Sequence, residues 1–483
     1  MKVLLIAPNT NESTGRFNWA CPPFGIHRIA AFLRLSNIEV EVYDCNIHDH
    51  LDKVLEMEWD IIGFSCLQAT LENDIKNMWL AKEKCPKALL VAGGIEATLN
   101  FQDILDHSPV KVIILAEGEI AVLSLALGRS PGSIEGVIVK NECKPISSNQ
   151  LWSFWDNIDF TKLNYRMYWD EMRKAHPEDY DLEGGDTVRL ITSSHCNRGC
   201  VFCSVTQWHK FACGKVAPVA HLSPVEVWEL VKKAKLALPT MKSVYFVEDD
   251  FIVTEERAWR FFELCKGSGI RFQIQTHTSK LREDSLIVHM ADGGCRHITM
   301  GLENCSPRVL KTLHKPQDLE RVPDIIEVCK AVNIRPYLLV ILFCPEITVD
   351  ELWMNYERLT EWEHMGATVS IEPNTMTYRG APLYNHTSAM LYKVVDVKDG
   401  AMRIPISLLP VDPKVRFVQK LFNEKWQQYL EEKEVGHGFK GATGKHMLEL
   451  LRRSLEEANG KELKGLEIKK WVWNGKTVDV DGV

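Results

Sequence analysis

Three cysteines fall within eight residues of the stretch "SSHCNRGCVFCSV", residues 193 to 205: Cys196, Cys200 and Cys203. Thiols this close together are candidates for metal ligation. A structural zinc ion takes four ligands in a tetrahedron, usually from two paired-cysteine knuckles. Cys213 is the nearest further thiol, and no second C-x-x-C occurs in the chain. A 4Fe-4S cluster held by only three thiolates has a different meaning, because one iron stays open to an outside ligand. The cysteines follow the β-type run "TVRLITSS", at the end of the strand where parallel βα folds collect catalytic groups. Most other cysteines, including Cys45, Cys66, Cys265 and Cys329, sit singly in apolar patterns and read as buried core, as does Cys344.

The chain around this loop has 483 residues, 45% hydrophobic and 25% charged, an ordinary globular composition with room for roughly two to four domains. Its net charge of -8 and scattered Lys/Arg residues argue against nucleic acid as a partner. No run approaches the roughly 18 apolar residues of a membrane span, and the N-terminal apolar run is too short for a signal segment. A cytoplasmic protein with reduced thiols is the expectation.

Residues 1–140 alternate apolar strands ("KVLLIAP", "VEVYD", "DIIGFSC", "ALLVAGG", "KVIILAEGE") with helical patterns, which predicts a doubly wound, Rossmann-like parallel sheet. Ligands of such sheets bind beyond the carboxyl ends of the strands. Ser65, Gly93, Gly94, Glu117 and Gly118 stand at those ends. Residues 141–186 lose the pattern and, rich in Trp and Tyr, read as a connector. From 187 to 385 a second βα series begins, with six strands where a full barrel has eight, so a partial (β/α)6 barrel is expected. In its first long helix, Ser223, Pro224 and Glu226 form a capping-box pattern. Residues 386–483 read as mostly helical, with a glycine-rich loop, "VGHGFKGATGKH", that fails the Walker pattern and reads as a solvent or substrate-cleft loop.

The C-x3-C-x2-C spacing, with Phe202 before the last cysteine, resembles the signature of the radical S-adenosylmethionine (SAM) superfamily. That resemblance implies a 4Fe-4S cluster on Cys196, Cys200 and Cys203, with SAM on the open iron and reductive cleavage to a 5'-deoxyadenosyl radical. "FVED" is similar to the family's acidic strand-end segment and implies Glu248 and Asp249 near SAM. "ITMGLEN" resembles its G-L-E segment and implies the same for Glu303. Gln275, with Gln273 and His277, ends a strand where the family directs polar groups toward SAM or substrate. The first domain resembles the cobalamin-binding module of one subgroup, through "CPPFGIHRIAAFLR", "VAGGIEAT" and "AEGE". This implies cobalamin near Ser65, Gly93, Gly94, Glu117 and Gly118. Glu96 replaces the usual histidine, and no D-x-H-x-x-G motif offers a lower cobalt ligand.

The resemblance implies a cobalamin-dependent methylase acting on an unactivated carbon, fed by an electron donor such as flavodoxin or ferredoxin. The substrate class stays open among a small molecule, a lipid and a peptide or protein side chain. One alternative is a radical SAM rearrangement, oxidation or carbon-carbon coupling without methyl transfer. Another is a non-catalytic nucleotide-binding protein with a structural metal.

Overall fold

The computed structural model describes residues 1–7, 9, 21–139, 142–146, 157–175, 185–398, 400–432, 444–459, 470–473 and 476–481. It divides into two compact units: Met1–Asn197, Ser204–Tyr245 and Val395–Met402 form one, and Arg198–Cys203, Phe246–Val394 and Arg403–Val483 the other.

The first unit is built on a seven-stranded sheet. Its strands are β1 (Lys2–Ala7), β2 (Glu39–Asp44), β3 (Ile61–Ser65), β4 (Leu89–Gly93), β5 (Val112–Ile114), β6 (Val137–Val139) and β7 (Glu142–Cys143). They lie in the order β2-β1-β3-β4-β5-β6-β7, the first five parallel and the last two antiparallel. The parallel part has the doubly wound order, with its topological switch between β1 and β3. The helices are α1 (Phe24–Leu35), α2 (Leu51–Val54), α3 (Leu71–Lys84), α4 (Ile95–Leu99), α5 (Phe101–His107) and α6 (Glu119–Ala126). Val3, Leu5, Ala30, Leu33, Val91, Ile114 and Val122 share one core, because strands covered by helices bury side chains on both faces. The expected connector contains a helix, α7 (Tyr165–Ala175), held by fully buried Tyr165 and Tyr168, and Tyr168 Oη donates to Asp44 at 2.6 Å. The unit also holds β8 (Thr187–Leu190), α8 (Val205–Cys213), α9 (Pro224–Ala237) and all but the last residue of β9 (Ser243–Phe246). Helix α9 opens with the predicted capping box of Ser223 and Glu226.

In the second unit, β10 (Arg271–Thr276), β11 (Cys295–Glu303), β12 (Arg335–Phe343) and β13 (Thr368–Met376) lie side by side in chain order, all parallel. Helices α10 (Glu255–Cys265), α11 (Asp284–Asp292), α12 (Pro307–Thr312), α13 (Val322–Ala331) and α14 (Val349–Met365) alternate with them. All six strands expected after residue 187 therefore form. One face of β10–β13 is fully buried and apolar, with Ile274, Ile298, Met300, Leu338, Val340 and Ile371. The other carries half-buried Gln273, Gln275, His297, Tyr337, Ser370 and Glu372, the period-2 alternation of a one-sided sheet. Beyond them lie β14 (Met390–Val397) and β15 (Gly400–Leu408), of which Val395–Met402 count with the first unit, then α15 (Pro413–Glu432), α16 (Gly444–Asn459), β16 (Lys470–Trp473) and β17 (Lys476–Asp481). The two long helices are the ones periodicity predicts. The four strands, which pair antiparallel as β13 with β15, β14 with β17 and β16 with β17, are additional to it. Most of "VGHGFKGATGKH" lies outside the described residues.

Candidate functional site

The first candidate region lies within the first unit; the cysteine loop has Cys196 in the first unit and Cys200 and Cys203 in the second. In the first, all five residues named from strand ends, Ser65, Gly93, Gly94, Glu117 and Gly118, line a single cavity of about 220 Å³. They meet because β3, β4 and β5 are parallel neighbours whose carboxyl ends share one edge. Ser65 pairs with Gly93 in register, and the Cys66 amide donates to the Gly93 carbonyl at 2.8 Å. Gly94 turns the chain into α4 with φ of +97°, and a Cβ there would stand 2.8 Å from the Cys66 carbonyl oxygen. Only glycine takes that turn at that approach.

Arg28, from α1, completes the polar side of the cavity by pairing with both Glu117 and Glu119. Burial pushes Glu117 up to about 7, against the pull of Arg28. Trp208, Ser194 and Ile191 also line the cavity, and Trp208 Nε1 donates to Thr98 Oγ1 at 3.0 Å. Sequence reasoning did not include Arg28 or Trp208 in the site; the signal for Trp208 was an aromatic placed just after the cysteine motif. Glu96, where a histidine was usual, is buried and accepts from Asn100 Nδ2 at 3.0 Å. It is absent from the cavity wall and acts on its neighbours instead. Burial first, and the Glu96 charge with it, raises the buried Asp74 well above the usual carboxylate range.

The second region is the cysteine loop. Cys196 closes the first unit, where its carbonyl accepts from Thr206 Oγ1 at 2.7 Å. Cys200 and Cys203 belong to the second unit and are joined by a turn, Cys203 N donating to Cys200 O at 3.2 Å. Gly199, with φ of +74°, sets up that turn. Among the described residues, no three His, Cys, Asp or Glu side chains converge on one ready-made metal position. What surrounds Cys200 is charged. Burial raises its thiol, Glu303 acting the same way while Lys315 and Arg198 oppose it.

Glu303 ends β11, buried, with φ of +66°, a left-handed conformation that costs a non-glycine residue about 1–3 kcal/mol. It pairs with Lys315, whose ammonium lies 5.8 Å from the centre of the Phe202 ring. Gly301 leaves room for this pair, since a Cβ there would come within 2.5 Å of Lys315 Nζ. Phe202, Glu303 and Cys200 are thus brought together as expected, and Lys315 joins them.

The other expected SAM contacts are placed differently. Glu248 is buried where its charge acts on Arg257, whose Nη1 donates to the Phe251 carbonyl at 2.8 Å. Asp249 is exposed, and Gln275 is half-buried on the open face of β10. The acidic residue that reaches the cysteine loop is the next one. Asp250 Oδ2 lies 3.7 Å from Arg198 Nη2 and its other oxygen accepts from Thr276 Oγ1 at 2.8 Å. Arg198 also donates to Ser279 Oγ at 3.2 Å. His277 Nδ1 accepts from the Ser279 amide at 3.1 Å, while its buried Nε2 has no hydrogen-bond partner. Burial, with Arg198, Lys315 and Lys280 nearby, pulls His277 down to about 3.

Two family models match this chain. Residues 190–359 match the radical SAM superfamily, and residues 15–126 match the B12 binding domain. The chain belongs to the cobalamin-dependent radical SAM methylases. Among relatives of this radical SAM enzyme is an uncharacterized methyltransferase of Pyrococcus horikoshii, 22% identical over 371 residues, covering 73% of this chain and 76% of the relative. Another is the anaerobic magnesium-protoporphyrin IX monomethyl ester cyclase of Rubrivivax gelatinosus, 21% identical over 393 residues, covering 75% and 66%. The fold matches the radical SAM methyltransferase TsrM of Kitasatospora setae, a structure with cobalamin and a [4Fe-4S] cluster bound. The TM-score is 0.69 at 13% identity, over 95% of this chain and 99% of that one. The α/β architecture with a radical SAM half-barrel and a B12-type domain is that of the family, and the non-catalytic alternative falls away.

The residues present fit the family's cofactors. Within the second unit, Cys200 and Cys203 are thiols of the kind that ligate iron, and Lys315 and Arg198 near Cys200 suit an anionic iron-sulfur cluster. The glycine-lined cavity at the switch-point edge takes part of a group as large as cobalamin, with Arg28 and Glu117 offering polar contacts. No helix among the described residues is long and apolar enough to cross a membrane.

Proposed function

We propose that this methylase transfers a methyl group to an unactivated carbon of a small-molecule substrate. When bound, the cluster and SAM supply a hydrogen-abstracting radical, and cobalamin supplies the methyl group. The observation that carries the reading is the cavity, where Ser65, Gly93, Gly94, Glu117 and Gly118 share one wall at the sheet edge where doubly wound folds bind ligands. Cys196, Cys200 and Cys203 hold the iron. Phe202, Glu303 and Lys315 border the cluster side of SAM, and Gln275, Glu248 and Asp249 are its remaining expected contacts. Arg28 orients Glu117 and Glu119 at the cobalamin pocket. The work divides along the chain: residues 1–140 take cobalamin, 141–186 connect, 187–385 carry the cluster and SAM, and 386–483 shape the substrate side. An electron donor of the flavodoxin or ferredoxin class reduces the cluster.

A second reading, ring formation or oxidation without methyl transfer, draws on the similarity to the Rubrivivax cyclase. Anaerobic reconstitution with iron, sulfide and cobalamin, followed by mass spectrometry, separates the two. Methyl transfer yields 5'-deoxyadenosine together with S-adenosylhomocysteine, whereas 5'-deoxyadenosine alone supports the second reading.

A further inference from the structure

The open face of β10–β13 is polar but nearly devoid of acid. Register places Gln273 beside His297 and Arg335, Gln275 beside Thr299 and Tyr337, and Ile341 beside Glu372. The two charged side chains at its amino end, Arg271 and Arg335, lie several residues along their strands from the level of Glu372. Apart from Glu303, which is paired with Lys315, Glu372 is the only carboxylate these strands contribute to that face.

Glu372 has no cation beside it among the described residues. Its carboxylate accepts from the Asn374 amide at 3.2 Å. The Asn374 side-chain oxygen in turn accepts from Gln419 Nε2, on α15, at 2.8 Å. Gln419 is fully buried, and its own Oε1 finds no donor. One layer above, Phe343 meets Phe422 of α15 with ring centres 5.7 Å apart, so the C-terminal helix covers this end of the face. The Asn374 side chain also bonds Glu372, and the half-enclosed cluster keeps one buried acceptor, Gln419 Oε1, without a donor. Burying acceptors without donors costs free energy, which a ligand bringing the donors relieves. Burial also pushes Glu372 up to about 7, so that a cation arriving beside it would favour the ionised form.

Register fixes its position relative to the cluster loop. Glu303 pairs with Val340 and Ile341 with Glu372, which puts the two carboxylates at nearly the same height two strands apart, about 10 Å. That separation leaves Glu303 and Lys315 for SAM and sets Glu372 across the face from them.

We propose that Glu372, braced by Asn374 and Gln419, is the substrate-binding carboxylate of this enzyme, and that the substrate presents an amine, charged as ammonium, to it. The inference rests on the radical SAM reading above and narrows it to amine-bearing substrates. The polar side chains and the stacked His297 and Tyr337 rings, 3.9 Å apart, suit a compact, partly aromatic molecule better than a bare hydrocarbon.

The test uses the reconstituted full-length enzyme with SAM present and no reductant, so that nothing turns over. Two probes of the same shape, 2-phenylethylamine and 2-phenylethanol, are compared by calorimetry or saturation-transfer NMR. The wild type is expected to bind the amine at least about tenfold more tightly, a coupling of about 1.4 kcal/mol. Glu372→Asp keeps the charge and is expected to retain the preference, while the isosteric Glu372→Gln loses it; thermal melting checks that both variants are folded. Equal binding of the two probes by the wild type, or a preference that survives in E372Q, overturns the inference. SAM cleavage by the reduced wild type is read separately as 5'-deoxyadenosine. Cleavage without amine preference overturns this inference alone, whereas absence of cleavage overturns the reading beneath it.

Discussion

At the scale of single residues, the cysteine motif and the cavity glycines make separable demands. Replacing Cys200 with Ala removes one of three iron ligands, so cluster iron and its visible absorbance are expected to be lost while cobalamin is retained, checked by iron assay and spectra. Gly94→Ala acts on the other cofactor. Its φ of +97° and the 2.8 Å approach to the Cys66 carbonyl predict about 1–3 kcal/mol of destabilisation and weaker cobalamin retention with the iron content unchanged. A thermal melt and a cobalamin titration measure the two effects. The cavity residues were legible from sequence because strand ends in a parallel sheet must share an edge. Asp250 was not, because three consecutive acids, Glu248 to Asp250, give no sign of which one the turn after β9 will aim at Arg198. Arg28 was equally hidden, since an arginine inside an amphipathic helix reads as solvent-facing until Glu117 and Glu119 are seen against it.

At the scale of elements, the segment that ends β11 at Glu303 is clamped from α14. Glu351 accepts from Ser306 Oγ at 2.6 Å and from Arg308 Nη2 at 2.6 Å, and it closes the capping box of its own helix with Thr348. Burial alone would raise this carboxyl, but the bonds from Arg308, Ser306 and Thr348 win and hold it at about 2. A carboxylate depressed in the folded state contributes stability that is fully present above its ordinary value of 4.5 and is lost as the pH falls toward 2. Glu351→Gln is therefore expected to lower stability by about 2 kcal/mol at neutral pH, with the difference from wild type shrinking below pH 4, as followed by denaturant melts across pH. Helices with caps and strands with apolar runs were legible from sequence. The helix α7 was not, because its 3.6-residue period lies inside a Trp- and Tyr-rich stretch that reads as a connector, and neither were β14 to β17, because β15 finds β13 and β17 finds β14 only across long separations in the chain.

For the whole molecule, two family domains in one chain imply two cofactor systems, an iron-sulfur cluster with SAM and cobalamin. The most direct test of the central claim is a single-turnover assay of the anaerobically reconstituted holoenzyme with SAM and a low-potential reductant, quantifying 5'-deoxyadenosine and S-adenosylhomocysteine together. The account predicts both products, with S-adenosylhomocysteine forming only when cobalamin is present. A fully assembled cluster that leaves SAM intact under every reductant would contradict it.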